Sequence, residues 1–261
     1  MFSEEAIIAK WNADMYDQNV DETNDIEFLL SVISSAPQKI LEVCCGSGRI
    51  LVPLAKAGYN VTGFDIDEFM LSRITAKADG LNNLTWYKAN AVKDDWGTGF
   101  DVVVLAGNIL FNIISDMEYE KAQELFIQKA AGALRSGGFI YIDYQYFIYP
   151  EKVFGNPGER IIWEGNDSDG NYGKMVLLNS KYDKDNGINT FIRRFELALK
   201  SGEAIKRDIS CIKHLATLEQ IHKWLSNAGF IIEQEYGDYS RNPISETTYR
   251  AIIYARLMVV F

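Results

Sequence analysis

The chain has 261 residues, a formal net charge of −10, 48% hydrophobic and 24% charged residues. That length holds one sizeable core or one core plus an inserted cap, and the acidic balance argues against a nucleic-acid partner, which needs clustered Lys and Arg. No run approaches the ~20 apolar residues that span a bilayer, acids stand near the start where a secretion signal carries bases, and three cysteines, two adjacent, make neither a disulfide framework nor a metal set; the expectation is a cytoplasmic protein with no metal and no membrane.

Residues 3 to 19 read as a helix, with Ala6, Ile7, Trp11 and Met15 on or near one face and Tyr16 close to its end. An acidic break, VDETND, precedes a second helix after Asn24, with Ile26, Leu29, Leu30 and Ile33, that is expected to stop at Pro37. Lys39 to Asp67 then gives a buried strand (39–43), a glycine turn (45–48), a helix (49–57) and a second strand (60–64) ending on Asp65. A strand, glycine turn and helix aim backbone N–H groups at an anionic or carboxylate-bearing ligand. An acid at the next strand's tip suits the two hydroxyls of a ribose. The ligand class implied is an adenosine cofactor.

Two cofactor families share that geometry. A dinucleotide fingerprint wants a third glycine for close helix–strand packing, and Leu51 stands there instead. The run Glu42-Val43-Cys44-Cys45-Gly46-Ser47-Gly48-Arg49 resembles the first motif of Rossmann-like (class I) S-adenosylmethionine-dependent methyltransferases. That family often has Gly where Cys44 stands, and Cys is small enough to keep the turn. The resemblance implies a site for S-adenosyl-L-methionine that takes in Glu42, Cys44, Gly46, Gly48, Arg49 and Asp65, with Ile66 packing on the adenine face.

Further along, a helix is expected from Glu68 to about Ala78, with Asp67 as a reasonable N-cap, then a third strand at 84–88. Asn90-Ala91 follows where the family places Asp-Ala, and the Asn90 amide oxygen keeps the acceptor role towards the adenine amino group. The fourth strand (100–105) is a continuous apolar run, as a doubly covered parallel strand should be. In similar methyltransferases its last backbone groups, here at Leu105, touch the methionine part, and the next polar side chain, Asn108, faces the substrate. The alternative for Asn108 is loop capping. Ser115 and Glu118 form a capping-box pattern for a helix to about Leu134 that ends at Gly137-Gly138.

Strand five (139–143) ends on a second acid, Asp143, followed by Tyr144, Gln145 and Tyr146, a rim fit for a small polar substrate. Asp143 could equally cap the loop or pair with a nearby Arg. From about Pro150 the alternation stops, and residues 159 to 213 read as four antiparallel strands separated by DSDG, DKDNG and KSGE. A helix (218–228), a strand (230–236) and a final strand (249–260) return to the earlier pattern.

The fold expected is α/β: a Rossmann-like, doubly wound, mostly parallel sheet with an antiparallel β insertion acting as lid or dimer surface. Residues 1–149 plus 214–261 are expected to form the cofactor-binding domain, N-terminal helices included, and 150–213 the inserted cap. The resemblance is to the small-molecule type, similar to glycine N-methyltransferase and aminosugar N-methyltransferases, and covers nearly the whole chain. It implies methyl transfer to a nitrogen or oxygen of a small polar metabolite, with Tyr16, Asn108, Asp143 and His214 as catalytic candidates. Tyr16 is also a candidate to close over the cofactor. Plain packing competes for Tyr16, and a hydrogen-bonded structural role for His214. A nicotinamide-dependent oxidoreductase and a non-catalytic S-adenosylmethionine-binding module stand as alternatives, and a homodimer through the β cap is a further expectation.

Overall fold

The computed structural model describes residues 2–36 and 38–258; Pro37, where the second helix was expected to stop, and Val259 and Val260, the end of the expected last strand, lie outside them. In chain order the elements are α1 (Glu4–Asn19), α2 (Asn24–Val32), β1 (Lys39–Val43), α3 (Leu51–Lys56), β2 (Asn60–Asp65), α4 (Glu68–Ser72), α5 (Ile74–Lys77) and β3 (Leu84–Lys88). Next come β4 (Phe100–Leu105), α6 (Ile109–Asn112), α7 (Tyr119–Ala133) and β5 (Leu134–Gln145). The antiparallel strands are β6 (Arg160–Asn166), β7 (Tyr172–Asp183), β8 (Ile188–Ala198) and β9 (Ala204–His214), followed by α8 (Leu218–Asn227), β10 (Phe230–Tyr236) and β11 (Arg250–Leu257). They fall into two compact units, residues 2–22 with Tyr149–Leu215, and Thr23–Ile148 with 216–258.

The larger unit is a seven-stranded sheet in the order β10-β11-β5-β4-β1-β2-β3. β3, β2, β1, β4 and β5 run parallel, and β11 lies antiparallel to both β5 and β10. Each parallel pair needs a crossover, and the helices that supply it cover both faces. One face packs Phe126 and Ile127 of α7 with Ile221, Trp224 and Leu225 of α8; the other packs Phe28 and Leu29 of α2 with Leu51, Leu54, Leu71 and Ile74. The chain leaves β1 towards β2 on one side and β4 on the other, so the switch point lies where β1 and β4 end. Open α/β sheets hold their ligands there.

The missing third glycine of the turn has a structural answer. Leu51 is fully buried against Gly63 of β2, where an added Cβ would lie 2.6 Å from Leu51 Cδ1 and 2.9 Å from Cys45 Sγ. The close approach of helix to sheet is made by a glycine on the strand instead of one on the helix.

Three local expectations are corrected. The helix expected from Glu68 breaks at Arg73 into α4 and α5. Ser115 does not form a capping box: its Oγ accepts from the Met117 N–H in a local turn, and α7 begins at Tyr119. The chain leaves α7 at Ala133, and Leu134 is already paired with Phe100 of β4, so β5 runs through Gly137-Gly138.

The smaller unit is a meander, β6-β7-β8-β9, antiparallel throughout. The expected division gave α1 to the cofactor-binding domain, but the helix belongs to this sheet. Ile8, Trp11 and Met15 share a buried cluster with Met175, Phe195, Leu197 and Ile205. Trp11 Nε1 donates to the Gly165 carbonyl, and Asp14 accepts from the N–H and Oγ of Ser168. Trp11 lies so close to the backbone that a Cβ at Gly173 would stand 2.7 Å from its ring.

Gly63→Ala should destabilise the larger unit by ~1–3 kcal/mol, the usual cost of overpacking a dense core. In a Leu51→Ala background, where the nearest obstructing atom is gone, the same change should cost clearly less. Chemical denaturation of the four proteins in that cycle checks this; equal costs in both backgrounds would count against the packing account.

Candidate functional site

The turn after β1 is held in left-handed backbone. Cys44, Gly46 and Gly48 have φ of 57°, 53° and 77°, a region glycine enters freely and other residues at a cost. Cys44 is therefore a strained residue where a glycine would be relaxed, which refines the expectation that Cys simply keeps the turn. The Cys45 N–H donates to the Phe64 carbonyl, the Gly48 N–H to the Cys45 carbonyl, and Lys77 Nζ to the carbonyl and Oγ of Ser47. A Cβ at Gly48 would meet Ile74 and Val52, whereas a Cβ at Gly46 would meet nothing within 4 Å. Gly48 faces the core, and Gly46 faces open space at the rim. The turn runs on to Ile50, and α3 starts at Leu51, two residues later than expected.

Asp65, at the tip of β2, is fixed by that turn. Its Oδ2 accepts from the Gly46 N–H and its Oδ1 from the Asp67 N–H, both at 2.9 Å. A carboxylate has about four acceptor positions, so acceptor capacity stays available to a ligand hydroxyl. Burial raises its pKa, and backbone donors at Asp67, Gly46 and Ile66 offset part of that rise. Ile66 beside it is 57% exposed, an apolar side chain standing at the rim. Asp67 is the N-cap of α4, accepting from Phe69 and Met70 N–H.

Glu42, the acid ending the β1 run, is only 5% exposed, and its Oε2 has no hydrogen-bond partner. Burial pushes its pKa up to about 8, against the pull of Arg49 and with the repulsion of Asp65 and Asp25. Arg49 makes a two-pronged pair with Asp25 of α2, at 2.8 and 2.5 Å, so it ties α2 to the turn. Asp25 was missed from the sequence, where it reads as part of an acidic helix start. The signal was Arg49 itself, a half-buried guanidinium that takes a carboxylate partner.

At the other strand tips several candidates are already engaged. The Asn90 Oδ1 accepts from Val92 and Lys93 N–H. Its expected acceptor role is thus taken by the loop, leaving Nδ2 for a ligand. Ala91 and Leu105 are buried, next to the rim through their backbone. Asn108 is left-handed (φ 61°), and its Oδ1 accepts from the Gln145 N–H at 2.6 Å, so it ties the ends of β4 and β5 together. Asp143 is 2% exposed and accepts from Tyr239 OH and Arg250 Nη1, both at 2.7 Å, with the Arg250 guanidinium over the Tyr239 ring. It is a member of a closed ion-pair network and not an acid facing open space. Burial raises its pKa, and Arg250 pulls it back. Tyr239 also lines an open cleft of about 460 Å³ with Asn24, Glu27, Phe28, Ser31 and Arg241.

The remaining candidates lie in the smaller unit. Tyr16 sits edge-on to Trp163, ring centres 6.1 Å apart, and His214 is buried at the end of β9. The larger unit thus brings together Glu42, Cys44, Gly46, Gly48, Arg49, Asp65 and Ile66 around one turn, with Asn90, Ala91, Leu105, Asn108 and Asp143 on neighbouring strand ends.

The residues present fit S-adenosyl-L-methionine on grounds internal to this chain. Gly46 leaves a cradle that a Cβ would fill, Asp65 keeps acceptor capacity, and Glu42 offers an orphaned buried oxygen to a cationic donor. Residues 40–138 match a family described as a methyltransferase domain. A putative methyltransferase of Geobacillus sp. (strain WCH70) is 23% identical over 221 residues, 84% of each chain. Among solved structures, a methyltransferase from Streptomyces caelestis superposes with a TM-score of 0.73 at 19% identity, covering 98% of this chain and all of that one. The sugar N-methyltransferase of Streptoalloteichus sp. ATCC 53650 gives 0.69 at 15%, covering 93% and 91%. At these identities the superpositions speak for the fold.

Two outcomes follow. Because the folded Glu42 holds its proton up to about pH 8 and an unfolded Glu releases it near 4.5, the folded form binds more protons in between, and stability falls as pH rises through that window. Glu42→Gln should remove that part of the slope, read by denaturation across pH 5 to 8; an unchanged slope would mean that Glu42 is ionised in the fold. Arg250→Ala, which strands the buried Asp143, should cost about 3 kcal/mol, while Asp143→Asn, still an acceptor for Tyr239 and Arg250, should cost less.

Proposed function

This chain is a Rossmann-like S-adenosylmethionine-dependent methyltransferase, and we propose that it methylates a nitrogen or oxygen of a small polar metabolite. The observation that carries the cofactor half is the pairing of an open Gly46 cradle with the Asp65 carboxylate it orients. For the acceptor, support comes from the likeness in fold, over 93% of this chain, to a sugar N-methyltransferase, and from a net charge of −10.

S-adenosyl-L-methionine supplies, when bound, an electrophilic methyl group on a sulfonium. The protein's work is binding, orientation and exclusion of water. Asp65 would hold the ribose hydroxyls, Ile66 would cover the adenine face, and Glu42 would take an ammonium donor in its buried oxygen. The Gly46 and Gly48 turn would let the chain approach the ligand closely. Asn108 and Gln145 would set the rim beside the methionine portion. In this reading Asp143 acts by fixing Tyr239, on the loop after β10, and Arg250, at the start of β11, and the acceptor atom is not assigned from it.

Asp65→Ala should weaken S-adenosylmethionine and S-adenosylhomocysteine alike. Charged hydrogen bonds contribute about 1.5–3 kcal/mol each, so the loss should be at least ~10-fold. Isothermal titration measures it, and unchanged affinity would defeat the assignment. A screen of small amines, amino sugars and hydroxylated metabolites for S-adenosylhomocysteine formation then tests the acceptor class.

A further inference from the structure

Glu42 sits in the ladder between Gly63 of β2 and Val104 of β4. Neither neighbour offers a polar side chain, so its partners must come from the turn or from elements packed over the strands. The titratable groups that face it are Arg49 and the thiols of Cys44 and Cys45 from the turn, Asp65 from β2 and Asp25 from α2. Burial first, and then the charges of Asp65 and Glu42, push both thiols up, so neither carries a charge there. Arg49 is the cation of the set, and both of its Nη groups donate to Asp25. Asp65 is met by the Gly46 and Asp67 N–H groups.

That leaves Glu42 as the carboxyl whose charge is least answered. Its Oε2 is shut off from solvent and accepts from nothing. An ionised carboxylate in that position is costly, and a protonated one far less so. Burial therefore raises its pKa to about 8, with Arg49 pulling it down and Asp65 and Asp25 pushing it further up. An ammonium group set against Oε2 reverses the preference, because it brings a donor and an opposite charge together.

We infer that Glu42 gives up a proton to solvent when the cofactor's ammonium group binds, and that Asp25 is the positioning residue behind this, holding Arg49 in a two-pronged pair and setting its own negative charge beside Glu42. The inference rests on the function proposed above, in which Glu42 receives that ammonium. The O–H bond of Glu42 breaks, its proton passes to the buffer, and the carboxylate left behind pairs with an ammonium that keeps its three protons. Cofactor binding then tightens as pH rises towards 8, because the free protein holds the extra proton below that point.

Calorimetry of the full chain in buffers of different ionisation enthalpy counts the protons released on binding. S-adenosylhomocysteine, which has the ammonium but no sulfonium, should release about one proton at pH 7 and bind about tenfold more tightly for each pH unit between 6 and 7. Methylthioadenosine, which lacks the amino-acid part, should release none, and neither should Glu42→Gln with either ligand. Asp25→Asn removes a negative charge beside Glu42 and should lower the count at pH 7, a change that a merely structural role for Asp25 would not produce. Asp25→Glu keeps the charge and should restore the count. Glutamate labelled at its carboxyl carbon gives a reading that needs no ligand: Glu42 should titrate near pH 8 in the free chain, and lower in Asp25→Asn. If Asp25→Asn fails to fold, the wild-type titration with and without S-adenosylhomocysteine still decides the proton release. Binding with no proton released, or a Glu42 carboxyl already ionised at pH 7 in the free chain, would overturn the inference, and a count unchanged in Asp25→Asn would overturn the role of Asp25. Failure of the wild-type chain to bind S-adenosylhomocysteine would instead sink the function reading, and the ligand-free titration would then decide the coupling of Asp25 to Glu42 by itself.

Discussion

Buried carboxylates outnumber guanidiniums where the parallel strands end, and the rest of the site depends on that imbalance. The charges of Asp65 and Asp25 raise the pKa of Glu42, and that of Asp25 raises the pKa of Asp143, with Arg49 and Arg250 as the cations among them. Charges out of water repel more strongly than in it. The chain meets this in three ways: by pairing (Asp25 with Arg49, Asp143 with Arg250), by backbone donors (Asp65), and by protonation (Glu42). A sulfonium cofactor with an ammonium group is what an unbalanced acidic rim can accept, because its charge completes the set. A neutral or anionic ligand there would leave the imbalance in place.

The turn that carries this chemistry is stiffened from outside. Gly48 is pressed against Ile74 and Val52, Lys77 holds Ser47, and Gly63 lets Leu51 and Cys45 sit directly on β2. Three departures into left-handed backbone at alternate positions, one at the non-glycine Cys44, persist because those neighbours over-determine them. Strain of this kind keeps Gly46 facing outwards whether or not a ligand is present. The site is thus preorganised by packing that none of its ligand-facing residues provide.

Much of this was legible in the sequence. Periodicity and turn residues placed β1, β3, β4 and β10 at their observed bounds and found all four antiparallel strands. They did so because those stretches are short, apolar or alternating, and punctuated by Gly, Asp and Asn. What failed was local chemistry open to two readings. Ser115 with Glu118 has capping-box spacing, yet Ser115 closes a tighter turn. Asn90 can accept from a ligand or from its own loop, and the loop is nearer. Long-range partners were out of reach: nothing in the spacing of Asp143 and Arg250, 107 residues apart, names one to the other. The same holds for α1, whose apolar face shows that it packs but not on what.

That last point shapes how acceptor recognition should be sought. The cofactor-facing residues sit in contiguous sequence between Glu42 and Ile66, where one strand–turn–helix–strand unit fixes them. The acceptor-facing chemistry has no such unit. Asp143 and Asn108, the acids and amides best placed by sequence, spend their hydrogen bonds inside the fold. Because the cofactor turn is fixed within its own strand–turn–helix–strand unit, residues elsewhere can change while that turn stays as it is. A single doubly wound scaffold can then serve many methyl acceptors.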